Sequence, residues 1–188
     1  MLLPTRCRNT VALLIVLMTG CIVPNIALAV ILNFGATIVQ GTCSLSLDKS
    51  ILPLGNVFQP DLKKGLLLNA QPVKLLISKC SGIEGLTQQA TVTVKGSGMT
   101  SGGKWLFRSN GSAASGAGIM LIQQDTQPSA SDTAVKSGDI FPLTAKGVIP
   151  GDTVLPFYAG VSCGGPAECA NVGTGELTAH IVFSFAFR

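Results

Sequence analysis

The chain has 188 residues, a length that suits one domain rather than two. Charged residues make up only 12%, against about a quarter in average soluble domains, and glycine numbers 22. This composition points to short strands and turns instead of helices, and a formal net charge of +4 is too small to argue for nucleic acid or acidic lipid.

The first 29 residues read as an export leader. Arg6 and Arg8 form a basic start, Val11 to Val23 is an apolar run broken only by Thr19, Gly20 and Cys21, and Ala27-Leu28-Ala29 offers a small-residue cleavage site after Ala29. The run is too short for a comfortable membrane span. A second reading stays open, because Met18-Thr19-Gly20-Cys21 is similar to a bacterial lipobox that would lipidate Cys21. Removal of Arg6 and Arg8 leaves 11 basic residues against 9 acidic, a balance of +2.

Residues 30–41 form an amino-terminal extension. Val30, Leu32, Phe34, Ala36 and Ile38 share one face of an alternating run. Nine residues at about 3.3 Å each span roughly 30 Å, the length of a sandwich groove. Residues 42–188 are read as the body. Leu45, Leu47 and the stretch from Ile51 to Val57 predict a short strand turned by Pro53 and Gly55, and Pro60 to Gly65 a charged turn. Val73, Leu75 and Ile77 alternate up to Cys80 in a second strand. Thr91-Val92-Thr93-Val94 predicts a half-buried strand. Gly96 to Gly118 reads as a long flexible loop holding one short strand at Trp105-Leu106-Phe107, and Gly118 to Gln123 and Asp152 to Val161 as further strands. Strands at this spacing, separated by turn signals, predict an all-β sandwich.

The final segment, Gly175 to Arg188, alternates most clearly. Leu177, Ala179, Ile181, Phe183, Phe185 and Phe187 fall on one face, and His180 is on the other. Three of the eight phenylalanines lie here, each stabilising by roughly 1.5–3 kcal/mol when fully buried. A long apolar edge is an aggregation hazard, so an earlier segment or another protein is expected to cover it.

Without the leader four cysteines remain, an even number that reads as disulfides in an exported chain. Three pairings are open; Cys43 with Cys80 and Cys163 with Cys169 is the most economical. By chain entropy the two would add roughly 4 and 2 kcal/mol. A lone histidine and the lack of a C-x2-C pair argue against zinc.

With these residues laid out, the chain resembles chaperone–usher pilus subunits of the type 1 pilin kind over about residues 34 to 188. The resemblance rests on Gly175 fourteen residues from the end, the row Ile181, Phe183 and Phe185, and the penultimate aromatic Phe187. It is extended by Val73-x-Leu75-x-Ile77-x-x-Cys80, Ala117-Gly118-Ile119 and Leu155-Pro156-Phe157. Two places depart from the family: Phe187 stands where Tyr is usual, and Ala36 stands where the amino-terminal extension usually has Gly.

The resemblance implies an incomplete immunoglobulin-like fold of six strands, completed by a strand donated from outside. It implies a structural fimbrial subunit, exported through the periplasm to the cell surface, assembled by strand exchange and contributing to adhesion. The implied partners are a periplasmic pilus chaperone, an outer-membrane usher, neighbouring pilus subunits and a host receptor. Gly175, Ile181, Phe183, Phe185, Phe187 and Arg188 would form the chaperone-binding edge. Val30, Leu32, Phe34, Ala36 and Ile38 would be the donated strand.

Two rival readings belong to other classes. A single-domain surface adhesin or binding protein would use a receptor face around Trp105 and its Gly/Ser loop. A serine hydrolase would use Ser162 in Gly160-Val161-Ser162-Cys163-Gly164, with Glu168 or Glu176 and then His180 in the right order. An elbow must open a helix, however, and Gly164-Gly165-Pro166 cannot. Gly98 to Lys104 fits G-x4-G-K, but Trp105 stands where Ser or Thr must hold magnesium. Lys63-Lys64 is a turn, not a basic patch. The expectation is therefore a non-enzymatic chain with no cofactor, metal or nucleic-acid partner.

Overall fold

The computed structural model describes residues 41–62 and 66–188. The leader, the Ala29 and Cys21 readings, the proposed donor residues Val30 to Ile38 and the Lys63-Lys64 turn lie outside them. Among the described residues there are nine strands, all paired antiparallel. They are β1 (Thr42–Leu47), β2 (Leu68–Ser81), β3 (Ala90–Lys95), β4 (Gly98–Ser101), β5 (Lys104–Phe107), β6 (Gly118–Ile122), β7 (Ile140–Pro142), β8 (Thr153–Ser162) and β9 (Val182–Phe187). A single helical turn, α1 (Gln59–Leu62), and a 3-10 turn at Glu168–Asn171 complete the list. No helix among the described residues is long and apolar enough to cross a membrane.

The strands make two sheets. The larger runs β1-β2-β8-β6-β5-β4, the smaller β7-β3-β9. Alternation sets what lies between them. Val73, Leu75 and Ile77 of β2 and Phe157, Ala159 and Val161 of β8 point into one core with Val92 and Val94 of β3. Strand β6 is buried on both faces, so Ile119 and Leu121 join that core while Met120 and Ile122 join Leu106 and Ala134 in a second, smaller one. The side chains of Phe141 and Phe183 pack on Phe157 from the smaller sheet, with ring centroids 5.6 and 5.3 Å apart. These aromatic contacts hold the two layers together.

Several expectations are corrected. Among the described residues nine strands, three to fourteen residues long, stand where six were implied, the excess coming from the β4–β5 hairpin and from β7. The stretch read as a flexible loop is partly that hairpin, with Gly102 and Gly103 at φ 55° and 74° in the two-residue turn that matches strand twist. Strand β3 is covered on both faces, not one. Thr91 and Thr93 are buried, and their hydroxyls bond to the Ala186 carbonyl and the Arg188 guanidinium. Residues 51–57 make no ladder: Pro53 has no N–H to give to one, and Gly55 turns the chain at φ 68°. Residues 60–62, expected in a turn, belong to α1. The ladder of the last strand begins at Val182, not at Gly175.

The structure joins Cys43 to Cys80 across β1 and β2, with Cα atoms 4.0 Å apart. It joins Cys163 to Cys169, at 5.2 Å, between the end of β8 and the 3-10 turn.

Candidate functional site

A groove of about 800 Å³ runs between two segments that belong to neither sheet. One wall is residues 50–57, where Leu52, Leu54 and Val57 turn toward the core. The other is residues 173–181, leading into β9, with Leu177, Ala179 and Ile181 facing inward. The floor is apolar: Val73 of β2, Ala117, Ile119 and Leu121 at and within β6, and Ala159 and Val161 of β8. The period of two persists along the second wall, Leu177, Ala179, Ile181, Phe183 and Phe185 being half-buried while Thr178, His180, Val182 and Ser184 are exposed.

The backbone of β9 gives this groove its chemistry. Arg188 and Gln89 exchange both of their backbone hydrogen bonds, at 3.0 and 2.6 Å. In an antiparallel ladder such pairs recur every second residue, so Ala186, Ser184 and Val182 also direct their amides toward β3. Phe183, Phe185 and Phe187 then direct theirs away from it. Strand β3 obeys the same alternation, since Val94 gives its N–H to Asp139 and accepts from Gly138 on the β7 side. No described strand pairs with the far edge of β9. That edge therefore combines an apolar row pointing into the sandwich with alternate N–H and C=O groups pointing along the sheet.

Polar side chains fix the walls. Asn69 is one of two non-glycine residues with positive φ among the described residues, at 52°, beside a register shift in β2. Its amide donates to the carbonyls of Leu54 at 2.7 Å and Asn56 at 3.1 Å, tethering the first wall. Arg108 donates to the carbonyls of Ser112 (2.6 Å), Ala114 and Ala117 (2.9 Å), fixing that loop. The loop in turn holds the second wall, with Ala113 N–H bonded to Glu176 O at 2.8 Å and Thr178 N–H to Ser112 Oγ at 3.1 Å. Gly175 enters this wall at φ 138°, and a β-carbon there would lie 2.8 Å from that of Ala113. Only glycine fits without displacement. Asn69 and Arg108 escape sequence reasoning because an isolated amide or guanidinium gives no periodic signal.

The residues of the proposed carboxyl-terminal edge thus divide. Ile181, Phe183, Phe185 and Phe187 share one row, Gly175 shapes the wall, and Arg188 closes the ladder on Gln89 and Thr93. Trp105, expected at a receptor face, is half-buried and sets its ring edge-on to Phe107 at 6.1 Å. Ser162 is 1% exposed and its hydroxyl accepts from the Gly164 N–H at 3.2 Å. The chain after it turns at Gly164 (φ 98°) and enters only a 3-10 turn, so the strand–turn–helix of a nucleophile elbow is not formed. The G-x4-G-K stretch is the β4–β5 hairpin, and Lys104 Nζ is bound to the carbonyls of Ala130 and Asp132. No cluster of three or more metal-ligating residues occurs among the described residues.

Two antiparallel sheets, with β9 at an edge that no described strand pairs, define the class of fold: a pilin-type immunoglobulin-like sandwich. Among solved structures the chain is similar to the crystal structure of the P pilus rod subunit PapA, at 18% identity and a TM-score of 0.51. The match covers 84% of this chain and 99% of that one. No family model matches the chain, and no curated protein matches it in sequence.

Proposed function

We propose that the chain is a structural subunit of a surface fimbrium, whose groove is filled by a β-strand from another protein. During export a periplasmic chaperone supplies that strand along the edge from Ile181 to Phe187. In the filament a neighbouring subunit supplies it through residues 30–38, under the direction of an outer-membrane usher. The role is mechanical, with adhesion as its outcome at the cell surface, and calls on no catalytic residue or cofactor.

The observation that carries this reading is the outward-facing backbone of Phe183 and Phe185 beside an apolar groove. The second wall, residues 173–181, spans roughly 30 Å at about 3.3 Å per residue. The alternating face of residues 30–38 spans roughly 30 Å by the same rise. Phe34 is the largest apolar anchor on that face.

The test is assembly with the cognate chaperone and usher, read by electron microscopy and by chaperone co-purification. Phe34→Ala and deletion of residues 30–33 should leave chaperone binding intact and block incorporation of the next subunit. Normal polymerisation of both variants would remove residues 30–38 as the donated strand.

A further inference from the structure

The two walls of the groove are joined at one end by a side chain. The amide of Gln59, in α1, donates to the carbonyl of Val172, the residue that leads into the second wall. Gln59 follows directly on the first wall, so this bond crosses from wall to wall. Leu62, 5% exposed, and Val172, 3% exposed, fill the space beside it. Behind them the Cys163–Cys169 disulfide holds the 3-10 turn to β8, with Cys163 Sγ 3.5 Å from the Leu62 carbonyl. This end is therefore built from two buried side chains, a cross-wall hydrogen bond and a covalent staple. At the Leu54–Asn56 and Glu176–Thr178 positions the walls instead bond outward, to Asn69 and to the 109–114 loop.

We infer that the Gln59–Val172 tie makes the groove blind at this end and so sets the register of the strand that enters it. The inference rests on the proposed strand-accepting role and adds a positioning residue to it. Register matters because a slip of one residue turns every inward side chain outward. A strand ladder alone permits slips of two residues, which keep the same face inward. A fixed stop forbids them in one direction. The occupant is the segment 30–39 of a second copy of this chain, whose alternating face matches the length of the groove.

The experiment uses the full chain and three synthetic peptides, read by fluorescence anisotropy. One peptide has the sequence of residues 30–39; the others carry two added alanines at the amino or the carboxyl end. The wild-type chain should bind the parent peptide and lose about tenfold in affinity, or roughly 1.4 kcal/mol, for one extended peptide only. Gln59→Ala should narrow that gap to about threefold or less, roughly 0.65 kcal/mol. Gln59→Glu keeps the length of the side chain but cannot donate when ionised, and should behave as Gln59→Ala does. Thermal unfolding of both variants reports whether they are folded, and the end-to-end asymmetry in the wild-type chain stands without them. Equal affinity for the two extended peptides would overturn the blind end. An asymmetry unchanged in both variants would overturn the role of Gln59. Failure of all three peptides to bind would instead sink the strand-accepting reading itself.

Discussion

Replacing Asn69 separates two effects that the structure superimposes at one residue. Its side chain makes two solvent-exposed hydrogen bonds to the first wall of the groove, and its backbone is left-handed at φ 52°. Exposed bonds belong at the low end of the net range, about 0.5 kcal/mol each, so losing both costs about 1 kcal/mol. Alanine in the left-handed region adds about 1 kcal/mol of steric strain. Asn69→Ala should therefore destabilise the chain by about 2 kcal/mol, and Asn69→Gly, which has no β-carbon to strain, by about 1 kcal/mol. Urea unfolding resolves a difference of that size. Binding of the residue 30–39 peptide should weaken to a similar degree in both variants, because both free the wall at Leu54 and Asn56. Equal stability of the alanine and glycine variants would refute the strain half of the reasoning. Unchanged peptide binding in both would refute the wall half.

Other predictions follow from the same geometry. Phe185→Asp should abolish capture by the cognate chaperone and lead to degradation or aggregation, while His180→Ala on the exposed face should do little; equal effects in a co-purification assay would contradict a one-faced row. Intact mass of periplasmic protein should begin at Val30, and a lipidated species beginning at Cys21 would overturn cleavage after Ala29. Non-reducing peptide mapping should recover Cys43 with Cys80 and Cys163 with Cys169, and any cross-pair would contradict the strand order. The Asp132 carboxyl is held below its ordinary 3.8, chiefly by the Ser129 N–H and against a smaller desolvation effect, with help from the Gln124 and Ser129 side chains and Lys104. A depressed value stabilises the fold above the ordinary pKa and is lost as pH falls through the folded one. Thermal melts should show the gap between wild type and Asp132→Asn shrinking below about pH 4, and a gap that widens there would contradict it.

Where side chains alternate, the chain announces its strands. The row from Leu177 to Phe187 and the run Val73-Leu75-Ile77 keep in the structure the faces that their period of two predicts. Thr91-Val92-Thr93-Val94 alternates as well, yet both its faces are buried. Polarity alone did not show this, because a threonine hydroxyl can be satisfied by a carbonyl such as that of Ala186. Strand β7 has three residues, one of them Pro142, too few to carry a period. The hairpin at Gly102-Gly103 was hidden by its own composition, since glycine serves a tight turn and a loose loop equally.

The groove was legible only by half. Its apolar row was visible as the final strand, but the features that shape it join residues far apart in sequence through single polar atoms. Asn69 reaches Leu54, Gln59 reaches Val172, and the loop pinned by Arg108 reaches Thr178. None of these contacts leaves a local pattern. Gly175 was noticed through a resemblance, and its physical reason, a left-handed backbone pressed on Ala113, appears only when the chain is folded.

The central claim is that the far edge of β9 accepts a strand, and hydrogen exchange at its amides tests it most directly. Amide exchange should be followed by NMR in the full chain, with and without excess residue 30–39 peptide. The account predicts that Val182, Ser184 and Ala186, bonded to β3, are protected in both states. Phe183 and Phe185 should exchange rapidly alone and become protected when the peptide is present, giving an every-second-residue pattern of change. Uniform protection along β9 without the peptide, or no gain at Phe183 and Phe185 with it, would contradict the claim.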